Sequence, residues 1–207
     1  TTGSKAEIAI VFAQTHGEGP LSASGSERAE LRHKGIAAFV VETGTPGFSV
    51  GKLESKLGIR GSDTAQLVFQ DCRVPAANLI GEVGQGFTIA LATLDGGRTS
   101  IAAQAVGIAR ACLEDALAYA TEREAFGKRI ADFQAIQAML ADMATEVDAA
   151  RLLVWRAATL RDRGEPHRME AAQAKLFASD VAMKAARNCV QIFGGYGYLT
   201  DFPAERH

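Results

Sequence analysis

The sequence predicts an α+β chain, with a strand-and-loop part followed by a helical domain of the four-helix-bundle type. Three observations lead there. Short apolar, β-branched runs divided by Gly and Pro occupy residues 1–82. From Gly84 onward apolar residues recur at steps of three and four. No apolar run approaches the ~20 residues that a membrane-crossing helix needs.

In the first part, Glu7 to Ala13 (EIAIVFA) and Gly35 to Val41 (GIAAFVV) read as strands. Phe48 to Val50 and Leu67 to Phe69 are shorter candidates, punctuated by Gly44, Pro46, Gly47, Gly61 and Pro75. His16 to Lys34, rich in Gly, Ser and charge, reads as an exposed loop.

The second part, residues 83–207, carries three helical stripes. They run Phe87, Leu91, Leu94, Ile101, Ala105, Ile108, Cys112 and Tyr119; then Phe133, Ile136, Leu140, Met143, Val147, Ala150 and Val154; then Met169, Ala172, Leu176, Met183, Ala186, Val190 and Phe193. Asp132 is expected to cap the second helix, and Gly164 with Pro166 to end it. A four-helix bundle needs one helix more, which implies a fragment or assembly with another chain.

Composition narrows the function. The chain has 207 residues, 47% hydrophobic and 22% charged, which excludes disorder, and its net charge of -2 gives no electrostatic case for nucleic acid. The N-terminus lacks the pattern of a signal peptide. Cys72, Cys112 and Cys189 have no metal-ligand spacing, and an odd count closes no disulfide framework. Buried thiols, a reducing interior and no metal site are therefore expected.

One segment breaks the helical pattern. Continuing the first stripe by sevens from Leu91 reaches Arg98, inside Leu94-Asp95-Gly96-Gly97-Arg98. Each helical glycine costs roughly 1 kcal/mol against alanine, and a charge on a packed stripe costs more unless paired. One reading is an Asp95–Arg98 ion pair holding the bundle in register. The other is a ligand lying against a helix left bare by Gly96 and Gly97.

A second unusual segment is Gln191-Ile192-Phe193-Gly194-Gly195-Tyr196-Gly197-Tyr198. It reads as a helix cap and turn, or as backbone opened for a ligand. Arg123 and Lys128 read as cations suited to the end of the first helix.

Taken in order, several segments resemble the acyl-CoA dehydrogenase family, in its short- and medium-chain, butyryl-CoA dehydrogenase-like branch. They are Lys56 to Ser62, Leu67 to Pro75, Gly84 to Phe87, Leu94 to Arg98, Glu122 to Lys128, Phe133 to Gln137 and Gln191 to Gly195. The resemblance implies the later part of a middle, β-barrel-like domain over 1–82 and a truncated C-terminal bundle over 83–207. It implies FAD as cofactor. Arg123 and Gln134 would grip the FAD of a neighbouring subunit, Gln191, Ile192, Phe193, Gly194 and Gly195 would touch the flavin, and Phe126 would lie at the adenine end. Thr1 would be a further flavin contact, as the tail of a Trp-Ile-Thr-Asn-Gly stretch. Asp95, Gly96, Gly97 and Arg98 would line the acyl-CoA thioester region.

The implied reaction is α,β-dehydrogenation of an acyl-CoA thioester, with electrons passed to an electron-transfer flavoprotein. One branch of the family carries its general base directly before the arginine, where this chain has Gly97. The base is therefore expected beyond His207, no residue here is assigned as catalytic, and the chain alone is expected to be inactive. Glu205 matches a structural position. A homo-oligomer, usually a dimer of dimers, is implied, in the cytoplasm or alternatively the mitochondrial matrix. An acyl-CoA oxidase or flavin monooxygenase relative, or a non-catalytic bundle subunit, are the other readings.

Overall fold

A computed structural model describes residues 1–15 and 34–207. The loop expected from His16 to Lys34 thus falls, apart from its last residue, outside the described residues. Their contacts divide the chain into two units, Thr1–Ala92 and Thr93–His207.

The first unit is built on strands β1 (Ile8–Gln14), β2 (Ile36–Glu42), β3 (Phe48–Leu53), β4 (Ala65–Phe69) and β5 (Leu79–Ile80). All four predicted strands are present, each within a few residues of its expected ends. β2 lies between β1 and β5, antiparallel to both, with Ile8 opposite Glu42 and Phe39 opposite Leu79. β3 and β4 form a separate antiparallel pair in which Phe48 meets Phe69 edge-on at 5.1 Å. Neither sheet closes into a barrel among the described residues. An open apolar cleft of ≈ 590 Å³, lined by residues such as Phe12, Phe39, Val41 and Phe69, lies in this unit.

Helix α1 (Gly86–Glu122) begins here, against the backbone of β2. A Cβ on Gly86 would stand 2.7 Å from the carbonyl carbon of Ala37, so only glycine permits that approach.

In the second unit α1 is joined by α2 (Gln134–Asp162) and α3 (Arg168–Phe193). Lys184 of α3 donates to Glu146 of α2 at 2.6 Å, while Arg156 of α2 meets Glu170 of α3 at 3.5 Å, so these helices run antiparallel. Asp95 near the start of α1 pairs with Arg168, and Tyr119 near its end stacks on Phe193, so α1 and α3 run in the same direction.

The core is mostly alanine: Ala102, Ala109, Ala116, Ala120, Ala150, Ala157, Ala171, Ala174 and Ala178 have no exposed surface. The second predicted stripe is buried as expected at Met143, Val147, Ala150 and Val154. The other two are buried only in part, with Ala105, Cys112 and Phe193 in the core. Leu94, Ile101, Met169, Leu176 and Met183 are all more than half exposed, and the alanines beside them face inward. Small side chains let helices approach closely, and that close approach leaves no room inward for the larger residues.

Two local expectations are corrected. Phe133, not Asp132, is the N-cap residue of α2, and no side chain bonds its first turn. Asp132 sits in a short 3-10 turn, from Ile130 to Asp132, that precedes it. Lys128 does not lie on α1, whose last turn holds no basic residue. It lies on the second strand of a small hairpin, β6 (Glu124–Ala125) and β7 (Lys128–Arg129). The turn residues Phe126 and Gly127 both have positive φ, +54° and +80°, the geometry that a two-residue antiparallel turn requires. The end of α2 is as expected, with Gly164 at φ +70° donating its N–H to the Arg161 carbonyl.

Gly86→Ala should destabilise the protein by about 1–3 kcal/mol, because the backbone of β2 must give way. A chemical denaturation midpoint checks it.

Candidate functional site

The bundle presents two groups of candidate residues, one near each end of α1. Near its start, Arg98 donates to Asp95 Oδ1 along the helix, and Arg168 of α3 approaches Asp95 Oδ2 at 3.6 Å. Asp95 therefore has a guanidinium beside each oxygen, and the ion-pair reading made from the sequence is realised. The pair is not sealed, since the Arg98 side chain keeps 34% of its surface.

The two glycines beside it differ. A Cβ on Gly96 would lie 3.5 Å from the Arg161 guanidinium of α2, so Gly96 makes room for a neighbouring side chain. Nothing stands within 4 Å of the corresponding point on Gly97, which is exposed. Of the bare face inferred from the sequence, Gly97 is the part open to a ligand. Thr99, the next residue after Arg98, is 8% exposed, and among the described residues its hydroxyl finds no partner. A single threonine in a helix carries no signal that marks it, and sequence reasoning missed it.

Near the other end, the aromatic rings of Tyr119, Phe193, Tyr196 and Phe202 pack together. Tyr119 stacks on Phe193 with centroids 4.1 Å apart, and Tyr196 stacks on Phe202 at 4.8 Å. Above them opens a cleft of ≈ 360 Å³ lined by Tyr119, Arg123, Ile130, Ile192, Phe193, Gly194, Gly195 and Tyr196. The Arg123 guanidinium lies over the Tyr196 ring, 5.4 Å from its centroid. The Ile130 N–H donates to the Arg123 carbonyl and so anchors the return of the hairpin there.

Five sequence candidates, Arg123, Ile192, Phe193, Gly194 and Gly195, thus line one cleft. Ile192 and Phe193 are buried, so most of their side chains serve the core. Gly194 caps α3 at φ +61°, and no atom stands within 4 Å of a Cβ on it or on Gly195, leaving this backbone open to a ligand. Gly197 ends the segment differently. A Cβ there would lie 2.4 Å from the Val190 carbonyl oxygen, so it is a packing glycine.

Gln134 and Gln191 are exposed and do not line this cleft. Phe126 is 94% exposed and meets only the edge of Phe133 at 6.2 Å. Thr1 is exposed, in the other unit, ahead of a turn in which the Thr2 N–H donates to the Asp63 carbonyl at 2.7 Å. The Ser4 N–H donates to the Asp63 carboxylate at 3.0 Å and holds that carboxyl below its ordinary range. Glu205 is exposed on a short 3-10 helix, Pro203–Arg206.

A model of the acyl-CoA dehydrogenase middle domain matches residues 1–72, and one of the acyl-CoA dehydrogenase C-terminal domain matches residues 84–207. The chain belongs to the acyl-CoA dehydrogenase family. It is 50% identical, over its full length, to the short-chain specific acyl-CoA dehydrogenase of Megasphaera elsdenii, covering 51% of that protein. The mitochondrial short-chain specific acyl-CoA dehydrogenase of Homo sapiens is also 50% identical, with 47% of it covered. The structure of butyryl-CoA dehydrogenase from Megasphaera elsdenii superposes with a TM-score of 0.91 over all of this chain and 51% of that one. The chain thus spans about half the length of the acyl-CoA dehydrogenases it matches.

Two substitutions to alanine should act with opposite signs on thermal stability. Gly97→Ala should be neutral or stabilise by up to ~1 kcal/mol, because the helix gains and nothing obstructs the methyl. Gly197→Ala should destabilise by about 1–3 kcal/mol, because it meets the Val190 carbonyl. Calorimetric melting of both variants checks the pair.

Proposed function

We propose that this chain forms the later middle domain and the C-terminal bundle of an FAD-dependent short-chain acyl-CoA dehydrogenase, with the boundary near residues 82–83. The observation that carries this is half identity along the whole chain to short-chain specific enzymes from a bacterium and from human mitochondria.

The cleft at the end of α1 fits part of a flavin dinucleotide. It combines a permanently charged guanidinium, suited to a pyrophosphate, with open glycine backbone and an aromatic floor. When bound, FAD supplies the two-electron acceptor that side chains lack. Arg123 would bind its phosphates and Gly194–Gly195 would admit its approach. Gln134, Gln191 and Thr1 would be further contacts. In this reading the cleft serves the cofactor of a neighbouring copy, so the working assembly is a homo-oligomer, with a dimer of dimers proposed.

At the start of α1, Gly97 would leave space for the acyl thioester, and the Asp95–Arg98 pair would border the pantetheine. Gly97 offers no group to accept a proton, and both oxygens of Asp95 already face guanidinium groups. No residue of this chain is therefore proposed as the general base. Electrons would pass to an electron-transfer flavoprotein. A matching chain, 51% identical with a TM-score of 0.91, comes from a structure described as the electron transferring flavoprotein of Acidaminococcus fermentans. Bacterial cytoplasm is the proposed compartment, with the mitochondrial matrix as the alternative.

The acryloyl-CoA reductase (NADH) of Anaerotignum propionicum, 49% identical over 204 residues, favours a second reading, in which the same chemistry runs toward reduction. Anaerobic titration with butyryl-CoA of the whole flavin-loaded enzyme, of which this chain would form part and which would include the general base, tests the dehydrogenation. Rapid bleaching of the flavin supports dehydrogenation; an oxidised flavin that does not respond rejects it. Rapid reoxidation by air would instead support an oxidase.

Arg123→Ala should lower retained FAD at least tenfold after gel filtration, the loss of one charge-assisted contact of about 1.5–3 kcal/mol. Unchanged flavin content would reject its role.

A further inference from the structure

Three arginines, one from each helix of the bundle, gather about a single carboxylate near the start of α1. Arg98 donates to Asp95 Oδ1, and Arg168 of α3 stands 3.6 Å from Oδ2. Arg161, in the last turn of α2, lies against the residue that follows Asp95. Its guanidinium carbon and both terminal nitrogens are within 3.8 Å of the point where a Cβ on Gly96 would stand.

Charge does not balance there. The three guanidinium groups are permanently positive, and Asp95 supplies one negative charge. Glu170, the acidic residue in the first turn of α3, is engaged by Arg156 at 3.5 Å. Asp162 and Glu165 are exposed, and among the described residues neither pairs with any of the three arginines. Among the same residues the Arg161 guanidinium has no hydrogen-bond or ion-pair partner at all.

Acceptors are short on the buried side as well. Thr99 lies one turn beyond Asp95 on the same face of α1, and its buried hydroxyl has no partner among the described residues. No side chain caps the first turn of α3, so its N–H groups add positive potential where Arg168 stands. A cation in the last turn of α2 suits the helix dipole without any ligand. That accounts for Arg161 taken alone, but not for three guanidinium groups sharing one carboxylate.

We propose that Arg98, Arg161 and Arg168 form a binding site for a doubly charged phosphate group. Two negative charges cancel the surplus, which a second carboxylate would only halve. The tetrahedral oxygens accept from guanidinium groups that arrive from different helices, and each planar fork suits a pair of them. The site is open to such a ligand, since the Arg168 side chain keeps 70% of its surface and that of Arg98 34%. Two sources carry this chemistry: free inorganic phosphate, and the ribose phosphomonoester of a CoA thioester held at Gly97. The second source rests on the function proposed above, and the first does not.

Phosphorus NMR of inorganic phosphate, titrated with the whole protein at constant ionic strength, reads the first source. Saturable binding of about one phosphate per chain, weakened about tenfold or more in Arg161→Gln and in Arg168→Gln, is the expected result. Comparing the affinities of butyryl-CoA and its dephospho form reads the second. A preference for butyryl-CoA that both substitutions abolish supports the site with the CoA phosphate as its occupant, even where free phosphate does not bind. Phosphate binding that both variants leave unchanged, with no such preference, would mark an adventitious ion only and overturn the proposal. So would an absence of phosphate binding together with equal affinities for the two thioesters, or with no binding of either. Loss of thioester binding alone counts against the proposed function and leaves this site to the phosphate titration. Both substituted arginines are exposed, so neither change touches the alanine core.

Discussion

A core built largely of alanine is the constraint on which the bundle rests. Ala102, Ala109, Ala116 and Ala120 on α1, Ala171, Ala174 and Ala178 on α3 and Ala150 and Ala157 on α2 share one core, all without exposed surface. Methyl groups bring helix axes toward the short end of the usual 8–10 Å range. In that packing Arg168 reaches Asp95 and Arg161 is set against Gly96. With leucine on the same faces, none of these side chains would meet in this way.

The ends of α1 serve different purposes as a result. At its start, charge is gathered beside a bare stretch of backbone, with Asp95 held between Arg98 and Arg168 and Gly97 open to one side. At its end, rings are gathered, and Arg123 projects over them at the mouth of a cleft. In the proposed enzyme the first would meet an acyl thioester and the second a dinucleotide belonging to another copy. One straight helix fixes the spacing between the two, which suits a reaction whose rate depends on placement.

Much of this was legible in the sequence, for identifiable reasons. Apolar, β-branched runs divided by glycine and proline located the strands, because such runs fit a pleated, half-buried surface. Arg98 and its glycines stood out because they break a helical rule. The faces of α1 and α3 were read only in part, because large apolar residues were preferred over the alanines beside them. Leu176 and Met183 lie exposed while Ala174, Ala178 and Ala185 are buried. The cap at Asp132 failed because the chain takes a 3-10 turn before the helix starts. Contacts between helices, such as Arg161 on Gly96, depend on packing geometry that no linear spacing encodes.

The central claim is that the open face at Gly97, beside the Asp95–Arg98 pair, receives the acyl-CoA. Amide hydrogen exchange of the flavin-loaded protein, with and without a non-reactive butyryl thioester analogue of CoA, tests it directly. Slower exchange in the peptide spanning Leu94 to Ile101, larger than in α2, is the expected result. Saturating binding of the analogue with no change in that peptide would contradict it, and would leave Asp95 and Arg98 a purely structural pair.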